Sequence, residues 1–444
     1  MKKITASINN ISCWSFVTAT LVSLVSVVAF SQTRSELELS KSKDVNVLNA
    51  VAKGWLSKPE LVPNVIDVLK KAENIKPNFD TSILLGDAFL MRGDGGSAIT
   101  NYEHAASYDV GNPLPHFRIG QVYVRSNNKE AALEAFNQAV TLDTGYAAAW
   151  KEIAELQYSF KRGPEAVQAQ EKYLALTERK DGGELNLGFY QFMARDFAKA
   201  AESFEAAKQR GQLTETGLKY YALALNETGE YADARKAFEE YFQNAKAGQV
   251  DAPDYLTYGK LLLKLDQDSL AVLAFDKSLT LNSEQVPVLQ LRAEVLYKDK
   301  RYPEAVHAYE ALIAKRPKPT SQDVYSLGKA QYYSSDFSNA ETTFRKLIDL
   351  QPSMSVGYLW TARANANLDP ESIQGLAKPF YVKVIELSQN TPDKSKAELK
   401  EAFSYLGYYY LLIKDVSRSK ENWEKVLAID PADERAKEAM KIVK

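Results

Sequence analysis

The sequence predicts an all-α protein, a solenoid of about eleven helix-turn-helix units, and three periodic features predict it. A small residue recurs at Ala98, Ala132, Ala166, Ala200 and Ala234 with a constant step of 34 residues, and continues at Ala271, Ala305, Ala340 and Ala377. Four residues after each comes a large ring: Tyr102, Phe136, Phe204, Phe238, Phe275, Tyr309, Phe344 and Tyr381, with Gln170 the one exception. Twelve residues before it lies a second small residue, at Gly86, Gly120, Ala154, Gly188, Ala222, Gly259, Ala293 and Gly328. A last unit repeats the figure with Gly407, Ser419 and Trp423.

The unit around Ala234 shows why these positions mean helices. Leu218, Tyr221, Ala222 and Leu225 are spaced i, i+3, i+4, i+7, one face of a helix; Ala234, Phe238 and Tyr241 make a second such face. Between them "NETGEY" (Asn226 to Tyr231) carries the Gly of a tight interhelix turn. Two helices this short cannot bury their apolar faces alone, so each pair must lean on its neighbours. Ala222 and Ala234 are then small where two helices approach closely. Phe238 is large because it fills the space toward the next unit, an expectation tested below.

The final unit alone carries Phe403, Leu406, Gly407, Tyr410, Trp423 and Pro431. With this signature repeated along most of its length, the chain resembles the tetratricopeptide repeat family. Units begin near Asn46, Phe79, Pro113, Ala147, Asp181, Glu215, Ala252, Val286, Ser321, Ser355 and Lys400. The resemblance implies a right-handed superhelical α-solenoid whose first helices line a concave groove that binds peptides or protein segments. The second, fifth, ninth and twelfth residues of a unit are implied to face that groove. Here they give Phe117, Lys151, Tyr158, Phe189, Lys219, Lys260, Tyr297, Tyr325, Lys329, Tyr332, Arg363 and Tyr408, with Gln121, Glu155, Phe192 and Glu294 at equivalent places. Rigid aromatic area and charged donors are what binding surfaces use, although aromatics are also the ordinary packing between repeats. The Lys/Asn clamp with which some members hold a C-terminal carboxylate is absent, since Lys151 is followed by Glu155 and Lys219 by Leu223 at the ninth position.

Departures from the period mark boundaries. The first unit is degenerate, with Val65 and Leu69 for the Ala and the ring, as suits a terminal cap. The solenoid is expected over residues 46–430, preceded by a polar linker at 32–45 and followed by a polar closing helix at 431–444. The step widens at "NAKAGQVDAPD" (Asn244 to Asp254) and again in the tenth unit, over residues 365–400. There Asp369 followed by Pro370 reads as a helix N-cap and first position, and Pro379 must sit in a first turn or bend its helix.

The N-terminus reads as an export signal over residues 1–31. Lys2 and Lys3 precede a charge-free stretch from Ile4 to Thr33, and its apolar part, Phe16 to Phe30, is short for a membrane span. Ala29 and Ser31 supply small residues before Gln32; an uncleaved anchor over residues 11–30 is the alternative. Either reading puts the rest of the chain outside the cytoplasm, periplasmic or secreted. The single cysteine, Cys13, lies inside this segment, so the remainder has neither disulfides nor thiol chemistry. Its loss with Lys2 and Lys3 takes two positive charges from a net −2 and leaves −4, no recruiter of nucleic acid.

Catalytic chemistry finds little support. His104, His116 and His307 fall in different units without a second ligand at metal spacing. "SLGK" (Ser326 to Lys329) matches a Ser-x-x-Lys figure, but Leu327 and Gly328 are the ordinary repeat residues there. The glycine-rich stretches Arg92 to Ala98 and Lys180 to Leu185 lack the Lys-Ser/Thr ending of a phosphate loop and read as turns. The expectation is a non-enzymatic scaffold without cofactor or metal that binds protein or peptide partners in the cell envelope. A receptor for a small ligand or glycan is the alternative.

Overall fold

The computed structural model describes residues 37–179, 182–388 and 395–443. The proposed signal, its alternative anchor and Cys13 lie outside the described residues. Among the described residues the regular structure is helical, with no strand. The chain divides into two compact units, residues 1–228 and 229–444.

In the first unit the helices follow one another as pairs: α1 (Val45–Trp55) with α2 (Val62–Ile75), α3 (Phe79–Met91) with α4 (Gly95–Tyr108), and α5 (Leu114–Arg125) with α6 (Lys129–Leu142). Then come α7 (Ala147–Ser159) with α8 (Gly163–Leu176), α9 (Glu184–Met193) with α10 (Phe197–Gln209), and α11 (Glu215–Thr228). Within this unit consecutive helices pack on one another, the nearest-neighbour arrangement of a solenoid.

The second unit opens with α12 (Tyr231–Asn244). It continues with α13 (Ala252–Lys264) and α14 (Asp268–Leu281), α15 (Val286–Lys298) and α16 (Tyr302–Lys315), α17 (Ser321–Tyr333) and α18 (Phe337–Leu350). The pairs α19 (Ser355–Leu368) with α20 (Lys378–Ser388) and α21 (Lys396–Leu412) with α22 (Val416–Ile429) follow, then α23 (Glu434–Ile442). Trp423 and Val426 of α22 and Ala436 of α23 share a buried cluster.

The periodic residues explain the pairing. A Cβ placed on Gly86 would meet Tyr102 at 2.3 Å, on Gly120 would meet Phe136 at 2.4 Å, and on Gly188 would meet Phe204 at 2.7 Å. Gly259 and Phe275 (2.4 Å), Gly328 and Phe344 (2.6 Å), and Gly407 and Trp423 (2.7 Å) repeat the relationship in the second unit. The ring of the second helix thus lies flat against the missing side chain of its own partner helix. The expectation that the ring serves mainly the space toward the next unit needs that addition, although Phe238 does reach Tyr258 (5.7 Å) and Phe344 stacks on Trp360 (5.5 Å). Rings and alanines at these positions are buried. Gln170, which breaks the pattern, is also buried and donates its amide to the Gly183 carbonyl (3.0 Å), so the place of a ring is taken by a tie to the following turn.

Turns carry a left-handed residue at the same repeat position: Gly93, Asn127, Lys161, Arg195 and Gly229, then Asp266, Lys300, Ser335 and Lys414. The second helices often begin on a side-chain cap, as with Asp94, Asn128, Asp196, Asp336 and Asp415. The tenth unit differs from expectation. No helix starts at Pro370; Asp369 ends α19, and its buried carboxylate accepts from the backbone N–H groups of Ile373 (3.0 Å), Gly375 (2.8 Å) and Leu376 (3.4 Å). An acid that can satisfy three loop donors organises the loop instead of starting a helix. Pro379 does sit in the first turn of α20.

Candidate functional site

The sequence-derived groove residues divide between packing and surface. In the first unit, Phe117 is buried between Phe136 (5.5 Å) and Tyr146 (5.3 Å). Tyr158 packs on Tyr190 (4.9 Å). Phe189 contacts Phe204 and Tyr220, each at 5.2 Å, and Phe192 also meets Tyr220, at 5.0 Å. These rings join successive pairs and present little free area. Lys151 and Glu155 of α7 are exposed, while Lys219 of α11 is half-buried.

In the second unit, Lys260 is exposed on α13 and Tyr408 on α21. Five other candidates converge. Tyr297 comes from the end of α15, Tyr325, Lys329 and Tyr332 from α17, and Arg363 from α19. They gather around Trp360, which sequence reasoning missed. Tyr325 meets Trp360 edge-on at 6.2 Å and Tyr332 does so at 5.3 Å. Tyr333, also missed, stacks on Tyr302 (5.3 Å) and keeps 45% of its surface exposed. Trp360 occupies the sixth place of its unit, outside the positions implied to face the groove. The available signal was its type, one of only five Trp in the chain, three residues from Arg363.

Two cations stand on this aromatic ground in different states. Arg363 lies over the Trp360 ring, 4.6 Å from its centre, and is held by Glu401 of α21 through two parallel bonds, Nε to Oε1 at 2.9 Å and Nη2 to Oε2 at 2.7 Å. The Tyr381 hydroxyl donates to the same carboxylate at 2.9 Å. Hydrogen bonding to Glu401 raises the guanidinium pKa further, and burial with the adjacent carboxylate pushes the Tyr381 phenol well up. This charge is neutralised internally.

Lys329 is not so neutralised. Its Nζ lies 5.4 Å from the centre of the Tyr297 ring, 5.4 Å from Tyr325 and 5.6 Å from Trp360. Among the described residues no carboxylate forms an ion pair with it. Burial works against its charge, but the Tyr297 hydroxyl and the surrounding phenols outweigh that and hold its pKa above the ordinary value, so it is a cation at neutral pH. The arrangement offers a fixed positive charge framed by ring faces and edges.

A cleft of about 1250 Å³ lies between α21 and α23, lined by Tyr405, Tyr408, Trp423, Lys400 and Glu438 among others. Its rim is tied by Lys400, whose ammonium donates to Asp430 (2.8 Å) and pairs with Asp433 (3.1 Å). Nothing in either place resembles a catalytic set. Among the described residues no group of three or more His, Cys, Asp or Glu is placed to hold a metal ion, and no helix is long and apolar enough to cross a membrane. His307, one of the three histidines, is exposed beside Glu310.

Repeating helix pairs bolted by ring on glycine, with an aromatic and cationic surface on the first helices, define a class of repeat scaffold. The comparisons carry this further: a tetratricopeptide repeat family model matches residues 117–182. A crystal structure of the C-terminal part of a TPR repeat-containing protein from Cytophaga hutchinsonii is 32% identical, over 58% of this chain and 99% of that one, with a TM-score of 0.44. The chain belongs to the tetratricopeptide repeat family. A tetratricopeptide repeat protein from Parabacteroides merdae is 18% identical over 57% of this chain and 100% of its own, with a TM-score of 0.37. The structure of Naa15/Naa10 bound to HypK-THB is 16% identical over 82% of this chain and 60% of that one, with a TM-score of 0.44. A search of curated proteins found no match. Repeats of this family are typically non-catalytic protein-interaction scaffolds.

Proposed function

We propose that the protein is a non-enzymatic, extracytoplasmic scaffold that binds protein or peptide partners of the cell envelope through the face built by its first helices. The observation that carries this reading is the cluster at Tyr297, Tyr325, Lys329 and Trp360, where a charged amine without an internal counter-ion is set among rings on three successive first helices. Packing alone does not call for a cation there, because an apolar side chain would fill the same space without desolvating a charge. The extracytoplasmic part rests on the apolar N-terminal stretch Phe16 to Phe30 and its small flanking residues.

The test is crosslinking and pull-down from native envelopes with the chain lacking residues 1–31, using photo-crosslinkers at Tyr325 and Tyr333. A defined protein crosslinked at these positions supports the reading. Crosslinks confined to other faces, or recovery of the protein from the cytoplasm in its unprocessed length, refute its two halves separately.

A second reading, a receptor for a small ligand or glycan, draws on the cleft beside α23, where Tyr405 and the exposed Tyr408 could stack on a sugar face. Calorimetric titration with a panel of oligosaccharides decides it: saturable binding lost in Tyr408→Ala favours the receptor.

A further inference from the structure

We infer that Lys329 is the recognition point for an acidic side chain, Asp or Glu, in an extended partner segment, with an apolar residue beside that acid resting on Tyr333. The inference deepens the scaffold reading and rests on it.

Lys329 is half-buried, and the described residues around it supply rings and the Tyr297 hydroxyl but no carboxylate. Tyr297 comes from the preceding first helix, Tyr325 from one turn earlier on the same helix, and Trp360 from the following first helix. An ammonium so placed gains cation–π attraction from three rings and gives one N–H to the Tyr297 hydroxyl, but keeps further N–H donors that rings satisfy poorly. The nearby carboxylates are committed elsewhere. Glu401 is clamped to Arg363 and Tyr381. Asp323, at the start of α17, is held by Arg316 through both its oxygens (2.9 and 2.8 Å). Glu294, the exposed ninth-position residue of α15, accepts from Gln290 (2.8 Å).

The cluster therefore carries one uncompensated positive charge on a surface that otherwise offers aromatic area. Its complement has a carboxylate and an apolar group side by side. Tyr333 provides the second contact, since its ring is braced by Tyr302 (5.3 Å) and Tyr297 (6.2 Å) yet remains open. The cage also selects. A ring-framed ammonium must give up water on binding, so it favours a ligand that replaces that water with a full negative charge over one that offers a neutral carbonyl.

The experiment screens a phage-displayed library of short random peptides against the intact chain, then measures selected sequences as end-blocked synthetic peptides by fluorescence anisotropy. The expected peptides share an Asp or Glu next to an apolar residue. Replacing that acid by its amide weakens binding about tenfold or more, the scale of a charge-assisted bond. Lys329→Met produces the same loss, and the amide substitution then costs nothing further; Lys329→Arg retains most of the affinity.

Selected peptides that tolerate the amide, or that bind Lys329→Met as tightly as the parent, overturn the inference while leaving the scaffold reading in place. The same holds if only peptides with a free C-terminal carboxylate bind. Failure of the intact chain to select any peptide, together with an absence of crosslinks at this face, removes both. The amide arm needs no altered protein, so it stands even if a Lys329 variant folds poorly.

Discussion

The Phe344 ring of α18 rests on Gly328 of α17 so closely that a Cβ there would lie 2.6 Å from it. Lys329, the next residue along α17, carries the ammonium of the aromatic cluster. The packing bolt and the recognition point are therefore adjacent on one helix, and disturbing the first should tilt the second.

Gly328→Ala is expected to destabilise the second unit by about 1–3 kcal/mol through overpacking. Adding Phe344→Leu should recover part of that loss, so the pair gives less than additive effects in a double-mutant cycle. Chemical denaturation followed by circular dichroism measures it, and strict additivity would mean that ring and glycine do not bear on one another.

Tyr332 and Lys329 should part company. Tyr332 is braced by Trp360, Phe337 (5.4 Å) and Asn367 (3.1 Å to its hydroxyl), so Tyr332→Ala is expected to cost about 1–3 kcal/mol of stability. Lys329→Met should leave the melting temperature nearly unchanged while weakening partner capture. Equal melting losses for both would assign Lys329 to the core.

Asp369→Ala should loosen the segment before α20 without unfolding the unit. Three backbone donors lose their acceptor, a local cost of about 1–3 kcal/mol. Hydrogen exchange at residues 373–376 is expected to accelerate, with protection in α15 unchanged. Unaltered exchange at 373–376 would show the loop to be held by other contacts.

Acid should release α23 early. The Asp430 carboxyl is held below its ordinary value of 3.8 first by Lys400, and that of Asp433 first by the Ala436 backbone N–H it caps. Groups with depressed folded pKa values contribute stability above the unfolded value and lose it as pH falls through the folded one. Exchange protection in α23 should therefore fall below about pH 4, where these carboxylates begin to take up protons. Asp430→Asn should lower protection at neutral pH and flatten its acid dependence; an unchanged profile would show the pairing to be inert.

Much of this fold was legible because a steric demand is written directly as residue type. Gly328 under Phe344 and Gly120 under Phe136 each leave a small residue and a ring at fixed distance, and a period of such pairs can be counted without coordinates. The turns were less legible. Asn127, Lys161, Arg195 and Ser335 all adopt a left-handed backbone, yet side chains this different share no pattern, since the demand falls on φ and not on chemistry. Asp369 and Pro370 looked like a helix start because both roles of that Asp, cap and loop acceptor, use the same short carboxylate. For the site, the sequence supplied Lys329 and its tyrosines as separate positions. Their convergence on Trp360, and the commitment of Glu401 to Arg363, depend on which helix faces meet, and no single unit contains that information.

The ring-on-glycine bolt also says how such a chain can change length over generations. Both halves of each bolt are encoded within one hairpin, sixteen residues apart between Gly328 and Phe344. Duplicating or deleting a whole hairpin leaves every remaining bolt closed, whereas inserting a single residue inside a helix turns the ring away from its seat. Selection on this protein should therefore tolerate copy-number drift in complete hairpins and confine odd-sized insertions to loops outside the helices, such as the widened segment at residues 244–254.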